Sequence, residues 1–216
     1  MRHSRAGTVR DAELRSVTLA EQIVSMPALL HRRWTEEEVR QLIDDAPGHT
    51  PRYELVDGEL LVTPSPNQTH QRVVVGLVVR LFAYLETQRI GEVLVSPSDV
   101  RLAPELVVQP DVYVAPFVAG RPRPAPDRVA TLLLAVEVIS PSSARYDRVV
   151  KRRAFQATGV PEYWIVDADA RTVERWRPAD VRPEVLDASL SWQPTEASAS
   201  FELDIRDFFA GICDDV

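Results

Sequence analysis

The chain has 216 residues, 45% of them hydrophobic, which is enough to bury the core of one large domain. No apolar run approaches the roughly 18 residues a membrane span needs, and residues 1–30 show no continuous apolar stretch of the signal-peptide kind, so a cytoplasmic protein is expected. The one cysteine, Cys213, excludes an internal disulfide framework and a cysteine-based zinc site.

Charge is unevenly spread. Residues 1–33 carry six Arg against three acids, so the remainder carries −10 of the total −7. That balance speaks against a nonspecific DNA binder, which needs clustered basic groups. It is compatible with a carboxylate cluster neutralised by metal.

In chain order, residues 1–30 read as a poorly ordered extension with weak helical character at Ala12–Val24, ahead of a domain over 31–216. Thr35 and Glu38 form a capping-box pattern for a helix over Thr35–Asp45, ended by Pro47 and Gly48. The Asp57-Gly58 pair between Tyr53–Val56 and Glu59–Val62 predicts a hairpin. Asn67 then caps the longest periodic segment, a helix to about Thr87 with Val74, Leu77, Leu81 and Leu85 on its inner face. Strands are predicted at Gly91–Val95, Asp99–Leu102 and Val107–Val114, followed by a proline-rich loop at Arg121–Asp127. Thr131–Ile139 is nearly continuous apolar sequence, the pattern of a strand buried on both faces. A helix over Ser143–Thr158, strands at Glu162–Asp167 and Thr172–Arg177, weaker edge strands over 181–205 and a short helix at Ile205–Ala210 complete the chain. This order predicts an α/β (α+β) fold, a mixed central sheet flanked by helices.

Three residues stand out chemically. Of the 25 basic side chains 24 are Arg, and the single lysine is Lys151. A lysine kept against such a bias is a candidate for work that a wide, permanently charged guanidinium cannot do; chance retention is the competing explanation. Glu137 lies within an apolar run, where a carboxylate is costly to bury unless paired or bound to metal; an ion pair with Arg145 or Arg148 would also account for it. Asp111 follows Pro110 in a second apolar run, and an ordinary turn aspartate would look the same. Two acids on neighbouring strands with a lysine on the next helix suit Mg²⁺ or Mn²⁺. Such a set can polarise a phosphate and activate water.

The run Pro110-Asp111, Glu137-Val138-Ile139-Ser140-Pro141-Ser142, Lys151 and Gly159-Val160-Pro161-Glu162-Tyr163-Trp164-Ile165-Val166-Asp167 resembles the Uma-two family of restriction-endonuclease-like proteins, in the PD-(D/E)XK nuclease superfamily. Tyr53–Leu60, Ser65-Pro66 and His70-Gln71 match that family's upstream signature, so the resemblance spans about Trp34–Arg177. It implies a restriction-endonuclease-like fold and a DNA-cleaving enzyme. Asp111 and Glu137 would be the metal ligands, and Lys151 the catalytic lysine displaced from its usual place, here Ile139. Asp147, four residues before Lys151, could instead make an ordinary helix pair with it.

Two further positions are candidates. His70 could position water or metal, or be a structural histidine; Glu59 could add a carboxylate, or be a solvated strand residue. A homodimer is expected by fold analogy. Two other functions compete with DNA cleavage: a nuclease fold that binds without cutting, and a glycosidase using Asp111 and Glu137 as acid and base.

Overall fold

The computed structural model describes residues 32–45, 51–63, 65–122, 131–141 and 143–213. The expected N-terminal extension and most of the Arg121–Asp127 loop lie outside these residues. Helix α1 spans Glu36–Asp45. The capping box forms: the Thr35 backbone N–H donates to Glu38 Oε2 at 2.9 Å, and the Glu38 N–H donates to Thr35 Oγ1 at 3.3 Å. Strands β1 (Arg52–Val56) and β2 (Glu59–Thr63) make the expected hairpin. Asp57 and Gly58 both have positive φ, +51° and +79°, which matches the twist of the flanking strands.

Helix α2 spans Gln68–Gln88 and is capped by Asn67, whose side-chain oxygen accepts from the His70 N–H at 2.8 Å. Strands β3 (Gly91–Val95), β4 (Val100–Ala103), β5 (Leu106–Val108), β6 (Val112–Pro116) and β7 (Leu134–Val138) follow. A π-helical turn at Tyr146–Lys151 runs into α3 (Arg152–Ala157), and the chain ends in β8 (Tyr163–Asp167), β9 (Thr172–Trp176), β10 (Glu184–Leu186), β11 (Ser189–Trp192), β12 (Phe201–Asp204) and α4 (Ile205–Cys213).

The strands form a six-stranded sheet in the order β10-β9-β8-β7-β6-β3, a four-stranded sheet β2-β1-β5-β4 and the β11-β12 ribbon. In the large sheet only β7 and β8 are parallel, and the helical segment between them makes the crossover. One sheet face, with Val112, Val136 and Trp164, packs under α2, the ribbon and α4. The opposite face, with Tyr113, Ala135 and Ile165, packs against α3 and the small sheet.

One expectation is corrected. The predicted strand Val107–Val114 is two strands in different sheets: β5 pairs with β1 and β4, and β6 with β3 and β7. Pro110 has no N–H to donate to a ladder, so the chain changes sheets there. The helix predicted over Ser143–Thr158 forms, with a π turn inside it at Tyr146–Lys151, a form that occurs mostly as single turns within α-helices and is frequent at functional sites. Among the described residues no helix is long and apolar enough to cross a membrane.

Candidate active site

The change of sheet at Pro110 leaves Asp111 just ahead of β6. Val112 pairs with Val136 in antiparallel register, so one step back Asp111 faces Glu137 across the strands. The two carboxylates therefore lie on the same side of the sheet, the side covered by α3 and the hairpin. Asp111 Oδ2 accepts from the Val138 N–H at 2.9 Å, which ties it to the residue next to Glu137.

Lys151 closes the group from above. It is 3% exposed, and its Nζ lies 2.9 Å from Glu137 Oε1, 2.8 Å from Glu54 Oε2 and 3.5 Å from Asp147 Oδ1. The π turn places Asp147 and Lys151 four apart and both inward, so the helix pair and the contact with Glu137 coexist. Glu137 takes neither of its candidate arginines as an ion-pair partner; Arg148 bridges Asp167 and Glu174 instead.

Asp111 has its own partners. Arg52 donates to Oδ1 at 2.7 Å, and His70 Nε2 lies 2.9 Å from Oδ2. His70 Nδ1 is buried without a partner. The sequence candidates Asp111, Glu137, Lys151 and His70 are thus brought together. Glu59 is not; it stands exposed at the start of β2, outside the pocket lining. The cluster opens through a cavity of about 280 Å³ lined by Arg52, His70, Asp111, Glu137, Ser140 and Lys151 among others.

Two members were missed from sequence, Arg52 and Glu54. In an amphipathic hairpin the polar residues of a strand read as solvent-facing. Here that side of β1 is covered, and Glu54 is fully buried, its Oε1 accepting the Gln109 N–H at 2.6 Å. The available signal was an acid and a base alternating with apolar Tyr53 and Leu55.

Electrostatics separates the groups. Burial disfavours ionisation of Asp111, but the His70 hydrogen bond, the Arg52 charge and the Val138 N–H outweigh it and hold the carboxyl well below its usual 3.8. Burial pushes Glu137 far up, reinforced by Asp111, Asp147 and Glu54 against the opposing pull of Lys151. Burial disfavours the Lys151 charge too, yet Glu137, Glu54 and Asp147 more than compensate, and its ammonium holds its proton well above the usual range. Lys151 is therefore a cationic donor, and Glu137 is a carboxylate whose ionisation the metal-free site resists.

The depressed Asp111 contributes stability that is present above pH 3.8 and is lost as pH falls through its folded-state value. Removing the Arg52 charge raises that folded-state value. Arg52→Gln should therefore move the acid-unfolding midpoint to higher pH, followed by circular dichroism in a pH titration. An unchanged midpoint would mean that Arg52 does not hold the Asp111 charge.

Four buried carboxylates (Glu54, Asp111, Glu137, Asp147) face two permanent cations, Arg52 and Lys151. With all four ionised, a state that burial disfavours at Glu137 and a bound cation would favour, the excess of two negative charges equals the charge of one divalent cation, and the donors are the hard oxygens Mg²⁺ and Mn²⁺ prefer. No ready-made cage of three His, Cys, Asp or Glu exists among the described residues. A cation held by Asp111 and Glu137 must share Asp111 with Arg52 and His70. The residues fit such an ion in charge and donor class.

A family model described as "Putative restriction endonuclease", Uma2, matches residues 36–206. Among solved structures the chain is similar to "a putative nuclease belonging to DUF820" from Anabaena variabilis, at 22% identity and a TM-score of 0.65 over 83% of this chain and 99% of that one. That likeness shows a shared fold. No curated protein matches. With that match running from α1 to the start of α4 and taking in the whole buried cluster, the chain belongs to the Uma2 family.

Proposed function

We propose that this chain is a metal-dependent endonuclease of the cytoplasm that hydrolyses DNA phosphodiester bonds, with Asp111 and Glu137 as ligands of Mg²⁺ or Mn²⁺ and Lys151 as the residue that orients the attacking water. The observation that carries this reading is a fully charged lysine buried against three carboxylates, in the wall of the same pocket that Asp111 lines. Such an ion supplies Lewis acidity toward the phosphate and toward water. The protein's own part is positional. Lys151 keeps its proton and presents it as a hydrogen-bond donor, Glu54 and Asp147 fix the ammonium from behind, and Arg52 keeps Asp111 ionised. His70 lines the same pocket and, with Nε2 on Asp111, helps to hold that carboxylate in position.

The test is nicking of supercoiled plasmid with Mg²⁺ or Mn²⁺, against EDTA and against Glu137→Ala. Nicking that needs the metal and Glu137 is expected; nicking that survives either change refutes the assignment. A second reading, a nuclease fold that binds without cutting, is favoured by one observation: both Asp111 oxygens are engaged by Arg52, His70 and the Val138 N–H. It predicts metal-independent DNA binding with no nicked product.

A further inference from the structure

Helix α2 is apolar on both sides. Val73, Val74, Leu77, Leu81 and Leu85 fill the core, while Val75, Val79 and Phe82 stand 58%, 60% and 56% exposed on the opposite face. Their spacing of four and three residues makes a continuous stripe. It borders a groove where Val75, Val78 and Val79 meet Val95 at the end of β3, an edge strand of the six-stranded sheet. A helix that is apolar all round is normally buried, and a contiguous exposed patch marks a contact surface.

From this patch and its flanking charges we infer that α2 is the contact of a two-fold dimer of this chain, packed antiparallel against its copy with the axis at Val79. In an antiparallel pair centred there, residues equally far before and after Val79 meet. Val79 meets its own copy, Val75 meets Ala83, and Arg72 meets Glu86, seven residues to either side. Arg72 and Glu86 are exposed on the same face and have no ion-pair partner among the described residues. Each is therefore available to the other's copy, so the stripe is complementary to itself in charge as well as apolarity. Such self-complementarity is what a two-fold interface requires. A partner helix packed at the usual separation of about 8–10 Å covers the whole stripe. The groove also reaches Arg52, His70 and Asp111, so each copy would lie along one approach to the other's pocket. The inference needs no nuclease activity and stands or falls apart from it.

The test uses the full chain in light scattering after size exclusion over a range of loading concentrations. A mass of twice 24.2 kDa is expected for the wild type. Val79→Asp places two like charges on the axis and should give the single-chain mass, with an unchanged circular dichroism spectrum. Arg72→Glu and Glu86→Arg should each weaken the dimer at least tenfold, and the double reversal should restore it. The two positions are roughly 21 Å apart along one helix, so rescue can only come from pairing between copies. A wild-type monomer at every concentration overturns the inference. So does a dimer indifferent to Val79→Asp, or single reversals without loss, either of which would leave the stripe to another protein or to residues 1–31 of this chain.

Discussion

Replacing Lys151 by Arg is expected to cost nearly as much plasmid nicking as replacing it by Ala, at least about a hundredfold, although the charge is kept. The ammonium is a compact point that receives three carboxylates within 2.8–3.5 Å from different directions, at 3% exposure. A planar guanidinium is larger, donates in a fixed fork, and cannot satisfy three separate acceptors around one nitrogen. The two variants should separate in stability. Lys151→Ala leaves Glu54, Glu137 and Asp147 without their shared cation, a loss of about 3–5 kcal/mol of folding free energy, read from urea unfolding. Lys151→Arg keeps the charge and should lose less. Equal nicking by Arg and Lys would remove any lysine-specific role and leave a structural ion pair.

Glu137→Gln should have the opposite effect on the fold. Burial and the surrounding carboxylates push Glu137 well above its ordinary value, so its ionised form is a burden in the metal-free protein. A group raised in this way contributes stability that is complete below its unfolded value near 4.5 and is lost as pH rises through the folded value. The neutral amide keeps the shape and removes that loss. In EDTA, the variant should match the wild type near pH 4.5 and exceed it increasingly toward neutral pH, by about 1 kcal/mol or 2–4 °C in Tm. Nicking should fall by more than the 10–100-fold typical of outer-shell changes at metal sites, because a proposed ligand is gone. A stabilised, inactive variant beside a destabilised, inactive Lys151→Ala is a combination that a purely structural ion pair does not produce. If Glu137→Gln unfolds more easily than wild type at neutral pH, the excess negative charge assigned to the cluster is wrong.

Local patterns in the chain were sufficient for elements whose stability is local. The Thr35/Glu38 box, the Asp57-Gly58 turn and the Asn67 cap each form as read, because capping and positive-φ turns depend on neighbours a few residues away. The buried strand around Glu137 was also legible, since a continuous apolar run has few other solutions. Lys151 and Asp111 stood out by composition and by context. Tertiary structure decided the rest. Only the packing of the hairpin layer over the large sheet turns Arg52 and Glu54 from apparently solvated strand residues into partners of Asp111 and Lys151. Only the antiparallel register of β6 and β7 sets Asp111 opposite Glu137, and only the sheet exchange at Pro110 puts it at a strand end. Which carboxylate shares a cation with which, and therefore which one resists ionisation, depends on contacts 14 to 97 residues apart in sequence. Sequence periodicity carries the sign of burial at each position; it does not carry the distance between two buried charges, and that distance sets their chemistry.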